Sequence, residues 1–148
     1  MFRLESEKEL RECFRPLDRD SMEVPRTMTF PVYVRDYLAW GESSGVRTFL
    51  VFSEPESGKH LGVSFRRNPG GITPMGFCQW CHSTGSSVDI GLLTADASAR
   101  KRVGVHVCLD LRCIEKLEAR SNMTGENSRL LARAVIEKMA EFARQALF

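Results

Sequence analysis

Two segments of the chain space their apolar residues at the three- and four-residue steps of an amphipathic helix. Residues 4–15 predict a short helix that ends before Pro16, with an apolar face formed by Leu4, Leu10, Cys13 and Phe14. Residues 126–147 predict a long helix packed by one face, whose apolar stripe is Leu131, Val135, Met139, Phe142 and Ala146. Thr124 is the predicted N-cap of this helix, and Glu126 lies in the first turn, where a negative charge complements the helix dipole.

Between these helices, short runs rich in branched and aromatic residues predict β-strands. Residues 47–53 and 61–65 flank a turn that contains Pro55 and Gly58, so we expect them to pair as antiparallel neighbours. Residues 88–94 and 103–107 predict a second hairpin with 95–102 as its loop. Residues 16–40 show no clean period and are predicted to be irregular, and 68–71 are predicted to form a loop.

Four cysteines in two close pairs carry the main chemical signal. Cys78-Gln-Trp-Cys81 is followed, after 26 residues, by Cys108-Leu-Asp-Leu-Arg-Cys113. Each pair can occupy one edge of a tetrahedron, and this spacing therefore predicts a single Zn²⁺ held by four thiolates. Four thiolates fill the coordination sphere and leave no position for water or substrate, so the expected role of the metal is structural and the expected class of protein is a binding module, not an enzyme.

The elements around the cysteines define the expected fold. The first pair lies in a turn, Cys108 ends a strand of the second hairpin, and Cys113 falls in the first turn of a helix that runs to about residue 120. A knuckle, a hairpin and a helix in this order form a treble clef. We therefore expect an α+β treble-clef zinc finger built on antiparallel β-hairpins with a long C-terminal helix. Residues 1–34 would form a helix and an irregular lead-in, and 35–148 the zinc-binding domain, within one compact unit.

Other readings of the cysteine motif explain less of the sequence. Cys78 to His82 spell the C-x-x-C-H string of covalent haem attachment, but that reading leaves Cys108 and Cys113 without a role. A thioredoxin-like redox pair would follow a strand and open a helix, whereas this pair follows a loop. No His-x-Glu triplet, phosphate-binding Gly-rich loop or Gly-x-Ser-x-Gly elbow accompanies the cysteines.

Two histidines flank the ligand positions, and their role stays open at this stage. His82 follows Cys81 directly, and His106 precedes Cys108 by two residues. Either could donate a hydrogen bond to a zinc-bound sulfur or replace a thiolate. Either could equally be a partly exposed polar residue beside the knuckle, with His106 alternating with Val105 and Val107 across a strand.

Composition and charge indicate the cellular compartment but do not identify a partner. The 148 residues include 21 Lys and Arg against 19 Asp and Glu, so the net charge of +2 permits a nucleic-acid partner but does not require one. The sequence shows no apolar signal region and no run suited to cross a bilayer, and we expect a soluble cytoplasmic protein. In a reducing compartment paired cysteines more often bind metal than form disulfides, and the fifth, Cys13, is expected to be a small buried hydrophobe.

Basic residues near the cysteines suggest a partner surface. They occur in the loops before and between the pairs and along the predicted helix of the second pair, as Arg66, Arg67, Arg100, Lys101, Arg102, Arg112, Lys116 and Arg120. Such clusters can steer an acidic protein or a phosphate backbone, although solvated charges on turns and helices look the same in sequence. Trp80, inside the knuckle, is the predicted exposed anchor, with packing beside the zinc site as the alternative.

The cysteine-bearing segments resemble a known family. Phe77-Cys-Gln-Trp-Cys-His82, the strand end Gly104-Val-His-Val-Cys108 and Leu109-Asp-Leu-Arg-Cys113 are similar to the treble-clef domain of the elongation factor G-binding proteins. This fusidic-acid-resistance family is also labelled the fibronectin-binding-protein C-terminal domain. The resemblance covers most of residues 35–147 and implies four zinc ligands, Cys78, Cys81, Cys108 and Cys113.

The resemblance also implies a function. It points to a bacterial cytoplasmic protein that docks on elongation factor G and affects the release of this factor from the ribosome. The chain departs from the resistance proteins in one respect, because they place a helical domain ahead of the zinc domain and only a short predicted helix precedes it here. The alternative hypothesis is direct binding of ribosomal RNA or another nucleic acid through the basic loops.

Overall fold

The strand-forming runs assemble into antiparallel sheets in a computed structural model, which describes residues 1–67, 76–85 and 90–148. In chain order the elements are β1 (Phe2–Leu4), α1 (Glu7–Glu12), α2 (Pro16–Arg19), β2 (Val32–Val34), β3 (Tyr37–Gly41), β4 (Arg47–Ser53), β5 (His60–Arg67), β6 (Gly76–Phe77), β7 (Thr84–Gly85), β8 (Ile90–Asp96), β9 (Arg102–Cys108), α3 (Cys113–Thr124) and α4 (Ser128–Ala146).

The main sheet has five strands in the order β3-β4-β5-β8-β9, and every neighbouring pair is antiparallel. β4 is buried on both faces from Thr48 to Phe52 because it lies inside the sheet and both faces are covered. Its run of branched and aromatic residues suits that position. The antiparallel pairing of β4 with β5 and of β8 with β9 confirms the two predicted hairpins, and the mixed architecture confirms the predicted α+β class.

Side chains alternate across the sheet and build a core on each face. On one face Leu50, Phe52, Val63 and Phe65 join the four paired cysteines and the buried face of α4. On the other face Phe49 and Val51 pack against the N-terminal segment, together with Leu4, Leu10, Cys13, Phe14 and Met22. The N-terminal segment therefore covers Phe49 and Val51 on this face of β4.

The N-terminal segment contains more regular structure than its sequence suggested. The predicted helix over 4–15 is too long, because Leu4 belongs to β1, which pairs with β2, and α1 begins only after the N-cap Ser6. The Ser6 side chain accepts a hydrogen bond from the Glu9 backbone N–H at 3.2 Å. The prediction of irregular chain over 16–40 is also wrong, since it contains α2, β2 and β3. Pairing with β1 and with β4, not local periodicity, produces β2 and β3.

The C-terminal helices also differ from prediction at one boundary. Thr124 is the last residue of α3 and donates its hydroxyl to the Arg120 carbonyl at 3.0 Å, so it is not the N-cap of α4. Gly125 adopts a left-handed φ of 76° and ends α3. The N-cap of α4 is Asn127, whose side chain accepts from the Arg129 backbone N–H at 3.0 Å. The predicted apolar stripe is confirmed by the buried residues Val135 and Met139.

The second hairpin turns more tightly than predicted, because β8 and β9 extend to Asp96 and Arg102 and leave a loop of 97–101. The predicted loop at 68–71 and the start of the predicted strand at 88 lie outside the described residues. Among the described helices, none combines the length and the apolar character needed to span a bilayer.

Arg15 ties three distant parts of the chain together. Its guanidinium pairs with Asp18 at 3.0 Å, and both side chains are largely buried. It also donates to the Asp96 carbonyl, to the Ala97 carbonyl at 3.3 Å and to the Leu147 carbonyl at 3.4 Å. The N-terminal segment, the β8–β9 loop and the C-terminus therefore meet at one arginine.

We predict that Gly62→Ala destabilises the protein by about 1–3 kcal/mol, because overpacking in a filled core forces neighbouring groups to move. A Cβ at this position would lie 2.6–2.7 Å from three atoms of the buried Phe14 ring. Thermal or urea unfolding measures the change. Gly41→Ala in β3 is the matched control, since its Cβ would meet only the Arg47 carbonyl at 3.8 Å. Equal stability of the two variants would contradict the packing of Phe14 on β5.

Candidate metal centre

A tight turn between β6 and β7 presents the first cysteine pair. The two short strands pair antiparallel, and the Cys78 backbone N–H donates to the Ser83 carbonyl at 2.9 Å. His82 adopts a left-handed φ of 63°, and its backbone N–H donates to the Cys78 carbonyl at 2.8 Å. The Cys81 backbone N–H lies 3.4 Å from Cys78 Sγ. This geometry brings both sulfur atoms to the same side of the turn.

A second turn presents the other pair. Cys108 ends β9, and the Leu111 backbone N–H donates to the Cys108 carbonyl at 3.0 Å. Leu111 has a φ of 55°, which reverses the chain before α3 begins at Cys113. The knuckle is attached to β9 through Gln79, whose backbone N–H donates to the His106 carbonyl at 2.9 Å. As predicted, Cys108 closes a strand and Cys113 opens a helix.

The four sulfur atoms form one buried cluster. All lie within 4.8 Å of one another, with Cys78 Sγ 3.7 Å from Cys113 Sγ and Cys81 Sγ 3.6 Å from Cys108 Sγ. Zn–S bonds of about 2.3 Å in a tetrahedron place sulfurs about 3.8 Å apart, whereas a disulfide would place them about 2.05 Å apart. The cluster is therefore consistent with one structural zinc ion held by four thiolates.

Hydrogen bonds among the four thiols favour the thiolate form at Cys78 and Cys81. Hydrogen bonds from Cys108, the larger effect, and from Cys113 lower the pKa of Cys78 to about 6. Hydrogen bonds from the same two residues also lower the pKa of Cys81. The pKa of Cys113 is raised, because hydrogen bonds with Cys108, Cys78 and Cys81 favour its protonated form. A thiolate is the form of cysteine that binds a metal.

Two basic side chains that the sequence analysis placed on a partner surface turn toward the sulfur atoms instead. Lys116 Nζ lies 3.1 Å from Cys108 Sγ. Arg120 donates to Ser83 Oγ at 3.1 Å, and Ser83 Oγ lies 3.2 Å from Cys81 Sγ. Burial lowers the pKa of Lys116, but the hydrogen bond and charge of Cys108, together with the charges of Asp110 and Cys81, raise it overall.

A signal for these contacts was present in the sequence. Lys116 and Arg120 follow Cys113 by three and seven residues, which places all three on one side of a helix. Ser83, which the sequence analysis did not single out, is found only once the knuckle turn is known.

The histidines lie beside the centre without contacting its sulfur atoms in the described part of the chain. His82 is exposed, its ring stacks on Phe77 with centroids 5.4 Å apart, and its Nε2 lies 2.6 Å from Lys138 Nζ. His106 is exposed between the buried Val105 and Val107. The structure therefore places His82 and His106 as polar residues next to the knuckle, which is one of the two roles left open by the sequence.

Trp80 is buried, and the prediction of an exposed anchor is wrong. Its side chain is 4% exposed. The ring packs edge-on against Phe65 and Phe142, with centroids 6.1 and 6.3 Å away. The knuckle thus inserts its aromatic residue into the core under α4, which local sequence could not reveal because Phe142 comes from the C-terminal helix.

The predicted basic surface is divided between two ends of the sheet. Arg102 begins the seven-residue β9 and Cys108 ends it, so the loop that carries Arg100 and Lys101 lies about 20 Å from the zinc end at the usual rise per strand residue. Arg102 pairs with Asp96 at 3.1 Å, while Arg112 is exposed at the zinc end. Arg66 aligns with Thr94 in the sheet, and Arg67 is exposed at the end of β5.

We predict that Cys81→Ala abolishes stoichiometric zinc binding and unfolds the knuckle, because structural zinc contributes about 10–16 kcal/mol of binding free energy in small zinc-binding peptides. Metal analysis of the purified variant and the fluorescence of buried Trp80 measure these effects. Cys13→Ala is the control, since Cys13 is buried in the other core and burial raises the pKa of its thiol to about 11. Retention of one zinc by the Cys81 variant would contradict a four-cysteine centre.

We also predict that zinc binding weakens steadily as the pH falls from neutrality, because protons compete with the metal for the four thiolates. Titration of the loaded protein with acid, in the presence of a colorimetric chelator, should show release that reverses when the pH is raised. Metal retention that does not depend on pH would contradict thiolate ligation.

Comparison with known proteins agrees with this geometry. The chain is similar to a solved protein titled "Structure of the fusidic acid resistance protein FusC", with a TM-score of 0.57 and 14% identity. The similarity covers 99% of this chain and 60% of that one, so the chain spans less than two thirds of the length of that protein. No curated protein matches the sequence.

A family comparison extends over nearly all of the chain. The family described as "FBP C-terminal treble-clef zinc-finger" matches residues 8–147, a range that contains the whole sheet, both C-terminal helices and the four-cysteine cluster. Its treble-clef description agrees with the knuckle, the hairpin and the Cys113 helix, which confirms the resemblance seen in the sequence. This chain belongs to the FBP C-terminal treble-clef zinc-finger family.

Proposed function

We propose that this chain is a non-catalytic, zinc-ordered module that binds elongation factor G in the bacterial cytoplasm and affects its release from the ribosome. The observation that carries the non-catalytic part is the closed cysteine cluster. Four buried sulfur atoms lie within 4.8 Å of one another and can fill a tetrahedral coordination sphere, which leaves a bound zinc no position for a substrate. The description of the family as a treble-clef zinc finger supports the same role.

The identity of the partner rests on the family. The resemblance of the cysteine segments to the elongation factor G-binding proteins implies this factor, and the fold similarity to a fusidic acid resistance protein supports a role in the same system. This chain corresponds to 60% of that protein, and the proposal therefore covers binding of the factor and not drug resistance.

Two exposed basic groups remain as candidate contacts. Arg100 and Lys101 lie in the β8–β9 loop, and Arg102 follows at the start of β9. Arg112 lies at the other end of the hairpin, next to the zinc cluster. Both groups are carried on braced elements, since Arg15 binds the loop carbonyl of Ala97 and Cys113 anchors the turn at Arg112. A preordered surface loses little conformational entropy on binding.

Titration of the zinc-loaded chain into purified elongation factor G tests the proposal. We predict saturable binding at micromolar concentrations, weakened several-fold by the double change Arg100→Gln with Lys101→Gln, because these cations contact the partner. Lys8→Gln with Arg26→Gln removes the same charge from exposed positions in the N-terminal segment and should leave binding unchanged. The absence of binding by the zinc-loaded chain would overturn the proposal.

The alternative partner is ribosomal RNA or another nucleic acid. The exposed basic loop favours it, and Phe77 is 52% exposed beside His82, but Phe65 and Trp80, which could also stack on bases, are buried. Nucleic-acid binding would fall steeply with salt and would persist without any protein partner. A filter-binding salt series with ribosomal RNA separates the two functions.

A further inference from the structure

A zinc ion bound by four thiolates leaves two net negative charges at the centre. In this chain those charges would be withdrawn from water, because Cys81 is 3% exposed and Cys78, Cys108 and Cys113 are 0% exposed. A buried charge is costly unless an opposite charge or a hydrogen bond compensates it. The surroundings of each sulfur therefore matter for how firmly a metal can be held.

Within the described residues, one cation contacts the cluster directly. Lys116 Nζ lies 3.1 Å from Cys108 Sγ, which is hydrogen-bond distance for a sulfur acceptor. An ammonium group has only donors, so this contact is attractive toward a thiolate in every orientation. Lys116 is partly buried and therefore interacts with the sulfur at a lower effective dielectric than in bulk water.

A second cation acts through a hydroxyl. Arg120 donates to Ser83 Oγ at 3.1 Å, and the same oxygen lies 3.2 Å from Cys81 Sγ. A hydroxyl has one hydrogen, and since the guanidinium cannot accept it, Ser83 is free to donate this hydrogen to a Cys81 thiolate. The guanidinium polarises the hydroxyl and strengthens that donation.

The remaining sulfurs have neutral partners. Cys78 Sγ accepts from the Cys81 backbone N–H at 3.4 Å. Cys113 is the first residue of the twelve-residue α3, where the helix dipole favours negative charge. The same helix therefore supplies a ligand, Cys113, and both cations, Lys116 and Arg120.

We propose that Lys116 and the Ser83–Arg120 pair compensate the charge of the metal-bound thiolates and thereby determine how tightly this centre holds zinc. Lys116 and Arg120 place two positive charges beside the two net negative charges of the tetrathiolate. Lys116 and Arg120 are accordingly parts of the metal centre. The proposal concerns metal affinity alone and does not depend on which macromolecule the chain binds.

Competition with a chelator of known zinc affinity, applied to the full chain, tests the proposal. Lys116→Met keeps most of the aliphatic volume and removes the charge, and Ser83→Ala removes the hydroxyl that links Arg120 to Cys81. Each should weaken zinc binding by about 10–100-fold, the range observed when groups that support metal ligands are removed. Lys116→Arg keeps the charge and should retain most of the affinity.

Arg112→Met is the matched control. Arg112 precedes Cys113, is exposed, and is paired only loosely with Glu115 at 4.0 Å. Its removal lowers the net charge by the same amount as Lys116→Met and should leave zinc affinity unchanged. An equal loss in the Arg112 and Lys116 variants would show a general electrostatic effect and would overturn the specific role of Lys116.

The absorption spectrum of the cobalt-substituted protein is a second measurement, which a purely structural role of these residues would leave unchanged. Loss of a hydrogen bond or a cation at a thiolate changes the sulfur-to-cobalt charge-transfer absorption, and we expect Lys116→Met and Ser83→Ala to shift this band while Arg112→Met does not. If Lys116→Met fails to fold, Ser83→Ala and Lys116→Arg decide the matter. Wild-type zinc affinity together with an unshifted band in Ser83→Ala and, where it folds, in Lys116→Met would overturn the proposal.

Discussion

The convergence of four sulfur atoms is the constraint on which one end of this fold depends. The knuckle between β6 and β7 is short and pairs through only two residues of each strand, so backbone pairing alone holds it weakly. The knuckle is attached to the rest of the fold because its cysteines cluster with Cys108 of β9 and Cys113 of α3. Trp80 adds to this attachment by packing against α4. The cysteines belong to the same core as Leu111, Ile114 and Leu117, so the metal centre is an extension of the hydrophobic core.

The opposite end of the sheet is held together by hydrogen bonds and not by metal ligands. There the N-terminal segment, the β8–β9 loop and the C-terminus meet at Arg15, which is paired with Asp18 and bound to three carbonyl groups. A largely buried ion pair of this kind gains little net energy from its charges alone, but breaking it leaves the partner charge unpaired. The five-stranded sheet is thus closed at one end by metal ligation and at the other by a hydrogen-bonded arginine.

Sequence reasoning succeeded where the determinants are local. The limits of β4 were predicted residue for residue, because its run of strand-forming residues ends at turn residues on both sides. The spacing of the cysteines likewise predicted that all four would lie in one cluster. Sequence reasoning failed where contacts between distant parts of the chain determine the structure. Trp80 is buried by Phe142, and β2 forms because it pairs with β1 at the start of the chain. Lys116 and Arg120 were predicted to be surface residues, although their spacing of three and seven residues from Cys113 places all three on one side of α3.

The orientation of α3 changes how the basic residues should be understood. The sequence suggested one continuous positive surface around the cysteines, but two of its members face the sulfur atoms and the loop of Arg100 lies about 20 Å from the zinc end, given the rise per residue of a strand. A single small contact cannot include both this loop and Arg112. A partner must therefore either extend along the β8–β9 hairpin or bind one end only. In either case the metal centre acts on recognition indirectly, because its four ligands fix the turn before α3 relative to the knuckle.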